Sequence, residues 1–309
     1  MQGRASVSVR VPGSTSNLGS GFDCIGVAVD RWLTLSARPV TGTSASPVAI
    51  ERRGTLTALT IPSEQDLVWR AFVRACEAAD RKPPRNMLLS VESEIPVARG
   101  LGSSAAATVA GAVAAMTLLE LDLNNVAMAT LCTELEGHGD NVGPAIYGGA
   151  TLVLRDGVGG VAVTELPLHE SLVFVFAVPD FEVHTKEARA VLPQTVPHAH
   201  AVEAAARSAA LVHGLAHAEP QLLRIGLEDV LHVPYRRALV RGFDAVVSAA
   251  RAAGAFGATL SGSGPTMLAV TVADNAAAVG TAMVSAWRDI GVRAETFHCA
   301  RPARGYAVL

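Results

Sequence analysis

Eight stretches of the chain have the alternating or continuously apolar pattern that predicts β-strands. They are residues 5–11, 26–37, 86–93, 147–156, 172–180, 256–260, 266–271 and 291–298. The first stretch ends at Pro12, and a polar, glycine-rich loop, SNLGSGFD, follows it before the second. Strands therefore occur in both halves of the chain.

Helical patterns lie between these strands. The predicted helices are residues 64–80, 103–119, 125–136 and 274–289, with a mainly helical region over 184–253. Ser63 and Asp66 resemble a capping box that opens the first helix. Because strands and helices mix without a steady βαβα alternation, the pattern favours an α+β fold over a doubly wound sheet. We place a domain boundary within 155–170 and expect domains at residues 1–160 and 161–309.

Residues 99–115, RGLGSSAAATVAGAVAA, open a long run of small residues with no charge between Arg99 and Glu120. The run is long enough to span a membrane. It consists mostly of Ala, Gly, Ser and Thr, however, and such a segment is marginal on transfer scales. We therefore expect a buried helix and no membrane contact.

Composition narrows the possible classes of protein. The 309 residues are 50% hydrophobic, enough for a sizeable core, and the net charge of −3 gives no support for a nucleic-acid surface. The four cysteines form no CxxC pair, which argues against a zinc site and fits reduced thiols in the cytosol. The first 14 residues lack the apolar segment of a signal peptide, so we expect a cytoplasmic protein.

The start of the helix at residue 103 has the features of an anion site. A helix N-terminus presents free N–H groups and the positive end of its dipole. Gly100 and Gly102 allow close approach of the backbone, and Ser103 and Ser104 add hydroxyls for an oxygen ligand or Mg²⁺. A phosphate site and an ordinary capped helix are both compatible with this stretch. No GxxxxGK[ST] motif is present, and the spacing does not suit a dinucleotide fingerprint.

Three other stretches carry polar residues in glycine-rich settings. The first, residues 11–29 (VPGSTSNLGSGFDCIGVAV), contains Asn17 and Asp23. The second, residues 134–149 (ELEGHGDNVGPAIYGG), places Glu134, Glu136, His138, Asp140 and Asn141 where a helix gives way to a loop. The third, residues 257–270 (GATLSGSGPTMLAV), is a glycine turn between two apolar strands. Each stretch alone is a weak signal.

In combination and order, these motifs resemble those of the GHMP kinase superfamily, named for galacto-, homoserine, mevalonate and phosphomevalonate kinases. IPVARGLGSSAA is similar to its phosphate-loop motif and SGSGPT to its C-terminal motif. The resemblance covers residues 5 to 270. It implies a two-domain α+β GHMP kinase fold, with an N-terminal half like ribosomal protein S5 domain 2 and a ferredoxin-like C-terminal half.

Within the superfamily, the first and second stretches are most similar to those of the homoserine kinase family. This resemblance implies ATP- and Mg²⁺-dependent phosphorylation of the side-chain hydroxyl of L-homoserine, a step of threonine biosynthesis, by a cytoplasmic homodimer. Two alternatives stay open. One is a GHMP kinase for another small molecule, and the other is a nucleotide-binding regulator without catalysis.

The resemblance also implies roles for particular residues. Those expected at the nucleotide are Pro96, Val97, Ala98, Arg99, Gly100, Leu101, Gly102, Ser103, Ser104, Ala105 and Ala106, with Asp66 near adenine. Those expected at Mg²⁺ are Ser103, Ser104 and Glu134. Those expected at the amino-acid substrate are Asn17, Asp23, His138, Arg189 and Arg236, with Arg237 as the alternative to Arg236.

The expected catalytic residues are Asp23, Asp140 and Asn141. Many GHMP kinases pair an Asp base with a Lys, and no lysine lies near these motifs. Phosphoryl transfer through a loose transition state depends mainly on positioning and charge neutralisation. The resemblance therefore implies direct in-line attack of the substrate hydroxyl on the γ-phosphate, oriented by Asn141 and Asp23.

Overall fold

Two β-sheets and ten α-helices make up the part of the chain that the structure describes. The structure is a computed structural model, and it describes residues 4–41, 46–157 and 159–309. The first sheet has seven strands and the second has four. Helices and strands are mixed in both halves, as expected for an α+β protein.

The first sheet is built mainly from the N-terminal half. Its strands are β1 (Val7–Asn17), β2 (Gly21–Pro39), β3 (Val48–Gly54), β4 (Met87–Ser93), β5 (Ala150–Arg155), β6 (Val161–Glu165) and β11 (Ala307–Val308). The strand order is β11-β1-β2-β4-β3, and β5 pairs with both β2 and β6. Only β3 and β4 run parallel among these pairs.

Two details of the first sheet differ from the sequence prediction. Pro12 does not end the first strand, and the segment after it is a long hairpin of β1 and β2 rather than an open loop. The register shifts between Pro12 and Gly13, which is a bulge position where the missing N–H of proline is tolerated. Pairing between β1 and β2 therefore continues through the polar residues at the end of β1 as far as Asn17.

The second sheet is antiparallel and comes from the C-terminal half. Its strands, in spatial order, are β10 (Ala294–Cys299), β7 (Leu172–Pro179), β9 (Met267–Val272) and β8 (Gly257–Leu260). All eight residues of β7 are buried, because this central strand is covered on both faces.

Most helices follow the predicted pattern, but the helix at Val142–Tyr147 lies where the sequence predicted a loop and the start of a strand. They are α1 (Leu67–Ala78), α2 (Ser103–Leu118), α3 (Asn125–Glu136), α4 (Val142–Tyr147), α5 (Thr185–Ala190), α6 (His198–His217), α7 (Pro220–Gly226), α8 (Val233–Arg236), α9 (Phe243–Ala252) and α10 (Ala273–Arg288). The start of α1 is a correction. Asp66 is itself the N-cap, accepting from the Val68 N–H, and Ser63 lies in a preceding 3-10 turn.

Helix α2 is the centre of the N-terminal half. Its small side chains are buried on nearly every face, and it packs against α1, α3 and the first sheet. Gly111 shows why small residues are needed, since a Cβ there would lie 2.0 Å from the Val68 carbonyl oxygen. The expected buried helix is confirmed, and no helix among the described residues is long and apolar enough to cross a bilayer.

Candidate active site

The loop before α2 is shaped by two glycines with left-handed backbones. Gly100 has φ +73° and Gly102, the N-cap of α2, has φ +70°. A Cβ on Gly102 would lie 2.2 Å from Ser14 Oγ, and a Cβ on Gly100 would lie 2.1 Å from the Ser261 carbonyl oxygen. Both positions therefore require glycine for conformation and for space.

The C-terminal half holds this loop in place. The Ser261 hydroxyl donates to the Gly100 carbonyl over 2.6 Å, and the Thr266 N–H donates to the Arg99 carbonyl over 3.3 Å. The Arg99 guanidinium donates to the carbonyl oxygens of Pro179 and Asp180. Arg99 thus joins the loop to the second sheet. The SGSGPT turn therefore fixes the position of the loop that precedes α2 through these hydrogen bonds.

We expect Gly100→Ala to weaken nucleotide binding by about tenfold or more, because the added methyl must displace the loop from Ser261. The measurement is the KM for ATP. Gly291→Ala is the matched control, since Gly291 has φ +77° but nothing within 4 Å of an added Cβ. An unchanged KM for ATP in Gly100→Ala would contradict the assignment of this loop to phosphate.

A cavity of about 450 Å³ opens beside the loop and collects most of the predicted site residues. Those that line it are Asn17, Asp23, Asp66, Pro96, Val97, Ala98, Arg99, Gly100, Leu101, Gly102, Ser103, Ser104, Ala105, His138, Asp140, Asn141, Arg189 and Arg236. Ala106 and Glu134 do not line it. Ala106 is fully buried, and its N–H makes the first helical bond of α2 to the Gly102 carbonyl.

Glu136, rather than Glu134, faces the serines of the loop. The Ser104 hydroxyl lies 2.8 and 2.7 Å from the two carboxylate oxygens of Glu136, and the Thr108 hydroxyl donates to one of them over 2.6 Å. Glu134 is 54% exposed and pairs with Arg74 at 3.5 Å. Residues two positions apart on a helix point about 200° apart, so only one of these two glutamates can face the cavity. Sequence reasoning missed Glu136, although helical spacing distinguishes the two glutamates once α2 is placed.

The β1–β2 hairpin brings Asn17 and Asp23 to the opposite wall. Asn17 has φ +71°; its amide donates to the Gly262 carbonyl over 2.8 Å, and its Oδ1 accepts from the Asp23 N–H. The Asp23 carboxylate forms two hydrogen bonds with the Arg189 guanidinium, of 3.0 and 2.8 Å. Two predicted substrate residues from distant parts of the chain are thus joined as an ion pair.

Arg236 is 2% exposed and has no carboxylate partner among the described residues. Its Nε donates to the Ala188 carbonyl over 3.0 Å, its NH1 lies 3.2 Å from His232 Nδ1, and its guanidinium lies over the Phe22 ring. Burial, together with the nearby charge of Arg189, lowers the pKa of Arg236 to about 10. The carboxylates whose charges act on the guanidinium only from a distance are those of Asp23, Asp140 and Asp229. A buried guanidinium at a cavity wall in this setting can bind an anionic ligand.

Arg237, the alternative to Arg236, points elsewhere. Its side chain is half-exposed and pairs with Asp244, and it does not line the cavity. Of the two adjacent arginines, only Arg236 is placed to meet a ligand in the cavity.

His138, Asp140 and Asn141 form a buried polar group between the hairpin and the loop. His138 Nδ1 lies 2.6 Å from an Asp140 oxygen. Burial works against the charged forms, but the pairing outweighs it, raising the pKa of His138 and lowering that of Asp140. The Asn141 amide donates to Ser16 Oγ over 2.9 Å, and its Oδ1 accepts from Ser14 over 2.9 Å. These bonds fix Asn141 in one orientation.

The cavity also has an apolar end, of which sequence reasoning predicted only Val97 and the neighbouring Asp66. Its lining there includes Leu56, Leu59, Ile61, Leu67, Val68, Val91 and Val97. Asp66 lies at this end, where the Arg52 guanidinium donates to its Oδ2 over 3.0 and 2.8 Å. These residues come from three separate segments with no shared motif, so only the fold could bring them together.

Comparison with known proteins gives a consistent result. The family profile described as GHMP kinases N terminal domain matches residues 66–149, and the one described as GHMP kinases C terminal matches residues 205–289. Homoserine kinase of Trichormus variabilis is 42% identical over 290 residues, which is 94% of each chain. Homoserine kinase of a Synechococcus species is 43% identical over 292 residues, again 94% of each chain.

Solved structures agree with these matches. The crystal structure of homoserine kinase from Cytophaga hutchinsonii superposes with a TM-score of 0.87 at 30% identity, covering 99% of this chain and 98% of that one. Mevalonate kinase of L. major, solved with R-mevalonate, shares the fold at a TM-score of 0.65 and 18% identity, over 96% of both chains. The predicted GHMP kinase fold is confirmed. The profiles, the full-length relatives and the shared architecture together show that the chain belongs to the GHMP kinase family and, within it, to the homoserine kinases.

Proposed function

We propose that the protein transfers the γ-phosphoryl group of ATP to the side-chain hydroxyl of L-homoserine, giving O-phospho-L-homoserine and ADP. The observation that carries this proposal is that one cavity holds both the loop before α2 and the buried guanidinium of Arg236. The loop supplies backbone N–H groups for phosphates, and the guanidinium supplies a fork for a carboxylate. The relatives named homoserine kinase support the choice of amino acid.

The ion pair between Asp23 and Arg189 favours a zwitterionic substrate. An amino acid brings one ammonium and one carboxylate, so each member of the pair gains a new partner of the right sign and no charge is left alone. We assign the substrate carboxylate to Arg236 and Arg189 and the ammonium or hydroxyl to Asp23, with Asn17 and His138 completing the wall. A neutral sugar would bring no charge for Arg236 or Asp23, and shikimate or mevalonate would bring a carboxylate for Arg236 but no ammonium for Asp23.

We assign ATP to the loop Pro96–Ala105 and to the apolar end of the cavity. A flat apolar base suits the leucine- and valine-lined end, and Asp66 can accept a hydrogen bond there. Ala106 supports the loop from within α2 and is not assigned a direct contact.

Ser104, Ser103 and Glu136 fit a magnesium ion. Their hydroxyl and carboxylate oxygens are ligands of the kind that Mg²⁺ takes in proteins, and phosphate oxygens would complete the set. Ser104 and Glu136 already lie within hydrogen-bonding distance of each other beside the loop. When bound, Mg²⁺ would neutralise charge on the β- and γ-phosphates. Glu134 is not assigned to the metal, because it lies on the other side of α3.

We propose direct in-line attack by the substrate hydroxyl. Its oxygen forms the new bond to the γ-phosphorus as the bond to the β–γ bridging oxygen breaks, ADP departs, and the hydroxyl proton is released. Asp140 is held by His138, and Asn141 by Ser14 and Ser16. We assign Asn141 to orientation of the reacting groups and Asp140 to the support of His138 and Asn141.

The test is ADP release with ATP, Mg²⁺ and a panel of L-homoserine, L-serine, L-threonine, mevalonate, shikimate and galactose. Turnover confined to L-homoserine is expected, with the phosphomonoester detected by ³¹P NMR. Turnover on mevalonate, shikimate or galactose would identify a different GHMP kinase. ATP binding without turnover on any acceptor would indicate a regulator.

The domain division at residues 1–160 and 161–309, the homodimer and the cytoplasmic location stay predictions. The domain division rests on the order of strands and helices along the sequence. The homodimer rests on the resemblance to the homoserine kinases, and the cytoplasmic location rests on that resemblance and on the amino-terminal sequence.

A further inference from the structure

His232 is a buried histidine that the proposed mechanism does not use. Its side chain is 0% exposed and lies directly before α8, the short helix that ends with Arg236. His232 Nδ1 lies 3.2 Å from Arg236 NH1, and His232 Nε2 lies 3.0 Å from the Gly19 carbonyl oxygen. The ring therefore stands between the anion-binding arginine and the turn of the β1–β2 hairpin.

These two contacts determine which nitrogen carries the proton. A guanidinium can only donate, so Nδ1 must be the unprotonated acceptor. A carbonyl oxygen can only accept, so Nε2 must carry the hydrogen. The imidazole is consequently neutral, as the Nε2–H tautomer. Burial also lowers the pKa of His232, which agrees with a neutral ring.

The ring itself is held on several sides. The backbone N–H groups of Leu231, His232 and Val233 donate to Asp229 Oδ2, which fixes the turn that carries the ring. Phe22 stacks on the imidazole at 4.7 Å between ring centroids, with an angle of 18° between the planes. Phe22 belongs to the same hairpin as Asp23, so the histidine packs against the element that carries the opposite wall of the cavity.

We propose that His232 is a positioning residue for Arg236, linking it through Gly19 to the hairpin that carries Asn17 and Asp23. Its neutral Nδ1 orients the guanidinium without cancelling its charge, which an aspartate or glutamate at the same place would do. The linkage sets the distance between the arginine and Asp23, the two groups that must hold opposite ends of one amino acid. The identity of that ligand rests on the proposed function, whereas the linkage itself does not.

Two substitutions separate the two hydrogen bonds. Asparagine places its side-chain oxygen near the position of Nδ1, so His232→Asn keeps the acceptor for Arg236 and loses the bond to Gly19. Glutamine places its side-chain nitrogen near the position of Nε2, so His232→Gln keeps the donor to Gly19 and loses the acceptor. A purely structural histidine would be affected by both substitutions in the same way.

The expected result is a split between KM and kcat. His232→Gln raises the KM for L-homoserine about tenfold, which corresponds to about 1.4 kcal/mol, while kcat and the KM for ATP stay within about twofold. His232→Asn keeps the KM for L-homoserine within about threefold of the unsubstituted protein. Equal effects of the two variants on this KM, or no effect of His232→Gln, would overturn the proposal.

A second measurement does not depend on the variants or on the substrate. ¹⁵N NMR of the unsubstituted full chain reports the protonation of both ring nitrogens of His232. An unprotonated Nδ1 and a protonated Nε2 between pH 6 and 8 are expected, and the opposite tautomer or an imidazolium would overturn the proposal. If the protein fails to phosphorylate L-homoserine, the proposed function fails, and the tautomer still tests the linkage.

Discussion

Arg236→Leu is expected to lower kcat/KM for L-homoserine by about 1000-fold, mostly through KM. Removing one partner of a buried, hydrogen-bonded charge pair costs 2–5 kcal/mol or more, and about 4 kcal/mol corresponds to that factor. The substrate carboxylate would face an apolar wall in place of the guanidinium fork. The measurement is steady-state kinetics with L-homoserine varied at saturating ATP.

The fold should tolerate this substitution. The guanidinium is buried without a carboxylate partner, and burial lowers its pKa, so the empty site carries an unfavourable charge. A buried charge without an ion-pair partner is costly, so its removal offsets the loss of the hydrogen bonds to the Ala188 carbonyl and His232 Nδ1. We therefore expect the thermal unfolding midpoint of Arg236→Leu to be unchanged or higher, which separates lost binding from lost structure.

Arg237→Leu is the matched control, because it removes an adjacent arginine that pairs with Asp244 outside the cavity. Its kcat/KM is expected to stay within about twofold, since exposed ion pairs contribute little. If Arg237→Leu lost activity and Arg236→Leu kept it, the carboxylate assignment would be wrong.

Glu136→Gln is expected to lower kcat by about 100- to 1000-fold, similar to the loss of a group that stabilises charge in a transition state. Glutamine keeps the shape and can still bond to the hydroxyls of Ser104 and Thr108. It removes the carboxylate charge through which proteins usually bind magnesium. The concentration of Mg²⁺ needed for half-maximal rate should therefore rise as well.

Glu134→Gln tests the alternative within the same motif. Glu134 is the residue to which the family resemblance assigned the metal, and it is half-exposed beside Arg74. We expect its kcat and Mg²⁺ dependence to stay within about twofold of the unsubstituted protein, because an exposed pair at this distance is weak. A large loss in Glu134→Gln together with a normal Glu136→Gln would return the metal to the original assignment.

Local signals in the sequence were sufficient for much of the fold and for the loop. Glycines followed by serines before a run of small residues placed the start of α2, because few other patterns suit a helix that is buried all round with a free N-terminus. Alternation located β4, and continuous apolar runs located β7, β8 and β9, which are buried along nearly their whole length. Strand β3, with the sequence VAIERRG, was missed because its charged residues interrupt the alternation of apolar and polar positions.

The errors share a physical cause, which is that partners distant in the chain decide local roles. A proline usually ends a strand, but a bulge in β1 opposite β2 accommodates Pro12. In the sequence, Asp66 resembles the N3 residue of a capping box. In the structure it is the N-cap residue of α1, and hydrogen bonds from Arg52 hold its carboxylate. Which of Glu134 and Glu136 lies near the loop depends on which face of α3 packs against α2. The spacing of residues within α3 does not show which face that is.

The pairing of β11 with β1 has a consequence for synthesis of the chain. Val9 and Arg10 pair with Val308 and Ala307, so one edge of the first sheet is completed only after almost all of the other described residues have been made. At roughly 5–20 residues per second, the edge of β1 stays uncovered on the ribosome for roughly 15–60 seconds. An open strand edge invites pairing with other chains. The nascent protein therefore passes through a period in which Val9 and Arg10 lack the strand that covers them in the finished fold, and this edge is open to pairing with other chains.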